Sequence, residues 1–173
     1  MPMATNDSSD SDPLATNTTT VSHGERLPDF TLPGGDATGI GLFRLSEFLE
    51  NDMLLLGVLP SAPSSNHTQL REFSWFELSQ GVNVAFAFGD TNVRQAAGYA
   101  EQFGVPILVD VHGDAIDMFG VRSSPDGPRR VVVLLDEQRR ILYTEQVRPE
   151  DGFDLDALDR TIKQHTKPMT NGN

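Results

Sequence analysis

Residues 53–70 read MLLLGVLPSAPSSNHTQL. Positions 53–59 carry no charge and are apolar at every step bar Gly57, so a strand here is buried on both faces. Both faces of such a strand must be covered, which predicts a central strand in a sheet with helices on either side. The run is far short of the ~20 apolar residues that a membrane span needs. Residues 60–65 break into a loop through Pro60 and Pro63. Over residues 68–80, Leu70, Phe73, Phe76 and Leu78 fall on a helical stripe. Strand, polar loop and helix thus follow one another within one stretch.

The pattern continues downstream. Residues 82–88 predict a second buried strand ending at Gly89-Asp90, where Asp90 or Thr91 caps a helix over 92–103 that Gly104 stops. A short strand at 107–109, a helical turn at 115–119 closed by Gly120, and a long turn at 123–128 follow. Residues 131–135 and 141–147 read as a hairpin joined through 136–139. A helix over 153–164 closes the domain, with Leu155, Leu158 and Ile162 inward. Upstream, residues 26–32 alternate like a short edge strand, 33–36 (Pro-Gly-Gly-Asp) predict a turn, and 45–51 a helix. Gly34, Gly35 and Gly39 read as turn glycines. The fold class is α/β, with a mixed sheet flanked by helices on both faces.

The ends differ from the body. Residues 1–22 hold almost no large apolar groups and predict a disordered polar tail, and 167–173 a flexible one. Residues 23–166 are the length of one domain with one core. The chain carries 13 Lys and Arg against 25 Asp and Glu, a formal charge of −12. That balance argues against nucleic acid or an anionic membrane as partner, since both reward clustered cations. No signal peptide is legible at the N-terminus, which predicts a soluble, cytoplasmic protein. Lys163 and Lys167 are the only lysines, and Asp outnumbers Glu. Such a surface predicts a halophilic protein, one working in concentrated salt where repulsion is screened. There are no cysteines, which removes disulfides, thiolate metal sites and thiol nucleophiles.

Five segments then carry a family resemblance. They are GERLPDFTL (24–32), LSEF (45–48), FGVPILVD (103–110), MFGV (118–121) and RVVVLLD (130–136). In that order and spacing they resemble the peroxiredoxin and redoxin group, the alkyl hydroperoxide reductase and thiol-specific antioxidant proteins of the thioredoxin fold. The resemblance implies a thioredoxin-like sheet and an active-site loop of the form P-x-x-x-T-x-x-C after the first long strand. In that family the helix start and an Arg from a later strand favour a cysteine thiolate. Counted from Pro60, Ser64 takes the Thr position and His67 the Cys position. Counted back from Gln69-Leu70, Asn66 takes the Cys position. Both counts stand at this level. Arg130 takes the place of the family's Arg.

No residue here supplies a thiolate, and both peroxide reduction and disulfide exchange need one. The resemblance therefore implies the scaffold without the chemistry: a non-catalytic member that binds a partner or small ligand. The alternative is an antioxidant oxidoreductase acting through unrecognised residues. No catalytic residue is assigned; Pro60, Ser64, Asn66, His67, Gln69 and Arg130 are the remnant of the family site. A Ser–His pair around His67 is poorly placed for hydrolysis, and no G-x-S-x-G elbow exists. An inward Arg129 or Arg130 needs an acid such as Glu72, or a small anion. The histidines lack metal-ligand spacing, so no metal or cofactor is expected. Trp75 reads as partly exposed at the edge of the core, and an exposed Trp suggests a partner surface. A homodimer or protein partner is expected on the family analogy.

Overall fold

The computed structural model describes residues 21–166, apart from 51, 81, 122–124 and 126. Residues 1–20 and 167–173, and positions 123, 124 and 126 of the expected turn, lie outside the described residues; Val21 and Ser22, expected in the polar tail, are described, and Val21 is buried because its apolar side chain packs on the core. Seven strands form one sheet: β1 (Thr31–Asp36), β2 (Gly39–Arg44), β3 (Leu54–Leu59), β4 (Asn83–Phe88), β5 (Ile107–Val109), β6 (Arg130–Leu135) and β7 (Ile141–Val147). Four α-helices join them: α1 (His67–Gln80), α2 (Val93–Phe103), α3 (Asp114–Met118) and α4 (Leu155–His165). The strand order is β2-β1-β5-β4-β3-β6-β7. β3, β4 and β5 run parallel, and a hairpin flanks them on each side, β1–β2 and β6–β7.

The apolar run over residues 54–59 is the buried centre. All six residues of β3 are buried, between parallel β4 and antiparallel β6. Strand alternation splits the core in two. Leu55, Leu59, Val84, Phe86, Phe88, Val132 and Leu134 face α1, α2 and α4, where they meet Leu70, Phe73, Ala96, Ala100, Leu158 and Ile162. Leu54, Leu56, Val58, Ala85, Ala87, Val131 and Val133 face the other way, toward Leu45, Leu49, Ile116 and Phe119. Phe73 stacks on Phe86 at 5.3 Å and meets Phe153 at 5.6 Å. Gly57 makes room for this: a Cβ there would lie 2.7 Å from the Phe86 ring.

The N-terminal region departs from the sequence expectation. Residues 33–36 are strand, and the turn falls at Ala37-Thr38, where Asp36 Oδ1 accepts from the Thr38 amide (2.8 Å) and hydroxyl (2.6 Å). Gly34 and Gly35 serve close packing. A Cβ on Gly35 would sit 2.5 Å from Ala97 Cα of α2, and one on Gly34 2.3 Å from the Ile107 carbonyl oxygen. The edge strand expected at 26–32 reduces to one bridge, Arg26 to Arg140, with β1 starting at Thr31. The edges of the sheet are β2 and β7, and the residues of β2 are all exposed or half-buried. The helix expected at 45–51 is a 3-10 segment, Leu45–Leu49, joined to Asp29 through the Ser46 amide (2.9 Å) and hydroxyl (2.8 Å).

The helix ends follow local chemistry. Asn92, in place of Asp90 or Thr91, caps α2 by accepting from the Gln95 amide at 2.9 Å. Gly104 ends α2 in the left-handed region, φ +73°, where a Cβ is unfavourable. α4 is anchored at its start. Glu145 of β7 accepts from the Tyr143 hydroxyl (2.8 Å) and the Asp154 amide (3.0 Å), and Asp154 caps Ala157 (3.0 Å). Burial pushes the Tyr143 hydroxyl well above its ordinary range, and its carboxylate partner adds to the effect. The helix stripe holds for Leu70, Phe73 and Phe76; the Leu78 side chain lies outside the described residues.

Candidate functional site

The loop after β3 carries the candidate residues. Pro63–Ser65 form a 3-10 turn, and the Asn66 amide donates back to Pro63 (2.9 Å). The Asn66 carbonyl then accepts from the Leu70 amide at 3.0 Å, the first hydrogen bond of α1. Asn66 is thus the last loop residue, and α1 begins on it.

The structure separates Asn66 from His67. Asn66 is buried, 1 % exposed, and its Nδ2 donates to Ser61 Oγ and to the Ala62 carbonyl, both at 2.8 Å. Its Oδ1 is buried without a partner. Two acceptors around Nδ2 fix the amide's orientation, because a flip would set Oδ1 against the Ala62 carbonyl oxygen. His67 is exposed and turns onto α2, edge-on to Tyr99 (5.7 Å) and Phe103 (5.4 Å). Ser64 is exposed, Pro60 half-buried and Gln69 buried.

Arg130 opens β6 opposite Val147, on the sheet face shared with Val132 and Leu134 and covered by α1 and α4. Its guanidinium donates to the Pro149 carbonyl in the β7–α4 connection. The expected partner Glu72 is not the one used, because the strand start lies beside that connection. Burial lowers the Arg130 pKa and Glu150 partly offsets this. The guanidinium and the Asn66 amide are therefore each tied to backbone, on different loops.

Among the described residues, Asp110 is the one buried acid. It is 3 % exposed and accepts from the Ala115 (3.2 Å) and Ile116 (2.7 Å) amides at the start of α3. That is a helix-capping role. Among the described residues, no group of three or more His, Cys, Asp or Glu is gathered as metal ligands. No helix among them is long and apolar enough to cross a membrane.

Surface cavities are lined by described residues at several places. One, about 440 Å³, lies between α1 and α4 along Trp75 and Asp156. One, about 360 Å³, runs from Met53 past Asp136 to His165. Another, about 380 Å³, is bordered by His67 and Tyr99. Neither Asn66 nor Arg130 lines any of them. Sequence reasoning singled out Trp75 but missed the acids that face it from α4, since helix pairing is not readable from either helix alone.

A mixed sheet with a parallel centre and helices on both faces is thioredoxin-like. Comparison with solved structures narrows this to the peroxiredoxin fold. The reduced 2-Cys peroxiredoxin of Plasmodium vivax superposes with a TM-score of 0.67 at 15% identity, over 82% of this chain and 80% of that one. The peroxidoxin BcpB of Mycobacterium tuberculosis gives 0.64 at 24% identity, over 84% of this chain and 98% of that one. AhpC of Mycobacterium bovis gives 0.64 at 16% identity, over 89% and 99%. No family profile and no curated protein matches the chain. The chain has the peroxiredoxin fold and contains no cysteine.

Proposed function

We propose that this chain is a non-catalytic protein on the peroxiredoxin scaffold, acting by binding a partner or a small ligand. The observation that carries the reading is Asn66. It stands buried at the start of α1, with its amide spent on Ser61 and Ala62. An amide is neither a nucleophile nor a redox group, and the guanidinium of Arg130 is turned to Pro149. Asn66 rather than His67 is then the counterpart of the family's cysteine, because His67 packs outward on α2. Pro60, Ser64 and Gln69 keep their places around it as structure. The domain proposed for this role spans residues 23–166, with Val21 packed against its core.

The test is peroxide consumption. Purified protein with hydrogen peroxide and a thiol reductant is expected to match buffer. Turnover above buffer overturns the reading and favours the alternative, an antioxidant oxidoreductase using unrecognised residues. A small anion at Arg130 is a second reading, supported by the guanidinium's burial beside one carbonyl. Anions should then raise the melting temperature of wild type and not of Arg130→Ala; equal shifts exclude it.

A homodimer is part of the proposal. Strand β2 is a sheet edge, and Ile40 and Leu42 on it are 59% and 73% exposed. Edges of this kind pair with another strand unless covered. Light scattering is expected to give twice the chain mass; a monomer for wild type removes the proposal. A cytoplasmic location in a salt-rich cell fits the charge balance.

A further inference from the structure

The cleft between α1 and α4 has a composition that selects a ligand. Trp75 on α1 is 67% exposed and lines it. Glu72, one turn earlier, and Asp156 and Asp159 on α4 bring carboxylates to the same cleft. Among the described lining residues only Lys163 opposes them, and it pairs with Asp159 at 2.9 Å. Among the described residues, no salt bridge engages Glu72 or Asp156. The floor is apolar, from Phe76 and Leu155. The α4 wall is held in place at its start by the Glu145 and Asp154 contacts.

We propose that this cleft binds an arginine side chain of a basic peptide segment on a partner protein. An indole face attracts a cation, and guanidinium stacks on it best. Carboxylates alongside accept the guanidinium N–H groups in charge-assisted hydrogen bonds. A quaternary ammonium has no N–H to offer these carboxylates, and one ring makes no cage. An apolar floor suits the methylene stem of an arginine. The inference stands apart from the Asn66 reading: peroxide turnover tests that one, and this cleft has its own readout.

Trp75 is the only tryptophan, so its fluorescence reports on the cleft directly. The probe is a capped Gly-Arg-Arg-Gly peptide, titrated at a salt concentration where the chain melts cooperatively. Comparators are the same peptide with citrulline for arginine, and tetramethylammonium. A saturable fluorescence change is expected with the arginine peptide alone. The double variant Glu72→Gln/Asp156→Asn should weaken it at least fivefold, and Lys163→Gln, which frees Asp159, should tighten it. No saturable change with the arginine peptide overturns the proposal. So does equal binding of the citrulline peptide or of tetramethylammonium, or an affinity unmoved in both charge variants.

Discussion

Asn66 shows what one side chain does to the loop that leads into α1. Its two Nδ2 hydrogen bonds close the turn between β3 and α1. Asn66→Asp replaces that donor with a carboxylate facing the Ala62 carbonyl, and leaves a buried charge. The expected loss is about 1–3 kcal/mol, more if the acid stays ionised, read from the urea midpoint. Unchanged stability would mean the amide contacts carry nothing. Asp29 offers a pH test on the same scale. Burial by itself raises its carboxyl, but the Ser46 hydroxyl and amide, with Arg139 and Arg44, outweigh it and hold the pKa below the ordinary carboxylate value. A depressed folded pKa gives stability above the unfolded pKa, lost as pH falls through the folded one. Asp29→Asn should therefore melt lower than wild type at pH 7, and the gap should close as the pH falls below the ordinary carboxylate range. A gap constant with pH would assign the effect to shape alone.

At the scale of elements, strands and helices with a strong apolar pattern were legible and close packing was not. Residues 53–59 announced β3, and the stripe from Leu70 to Phe76 announced α1, because burial imposes those periods. Pro33 to Asp36 misled, because Pro-Gly-Gly-Asp is turn chemistry by local preference. The glycines are there for Ala97 and Ile107, which lie over 60 residues away in the chain. Gly35→Ala should force α2 off β1 and cost about 1–3 kcal/mol, seen as a lower melting temperature. Gly41→Ala, with open space around its Cβ position, should change it little. In the site, the different surroundings of Asn66 and His67 were beyond the sequence, since neighbouring residues in a loop leave no periodic trace. The aromatic pocket of Tyr99 and Phe103 on α2 decides where His67 goes. The partner of Arg130 was hidden for the same reason: a backbone carbonyl has no side-chain signature.

For the whole molecule, charge is the controlling variable. An excess of 12 negative charges on 173 residues repels itself in dilute salt and is screened in concentrated salt, where the Debye length falls to ~3 Å at 1 M. The melting temperature is expected to rise from low to molar potassium chloride. A melting temperature indifferent to salt would sink the halophilic reading.

The strand order also sets a sequence of events in time. The β1–β2 hairpin joins the rest of the sheet through only two paired positions, Gly34 with Leu108 and Gly35 with Ile107. The β6–β7 hairpin is joined to β3 along five. Partial opening should therefore begin at the N-terminal hairpin and leave β3, β4 and β6 intact. Amide hydrogen exchange is expected to be faster across residues 31–44 than across 54–59 or 131–135. The molecule then has a hinge in kinetics where its static outline shows one continuous sheet.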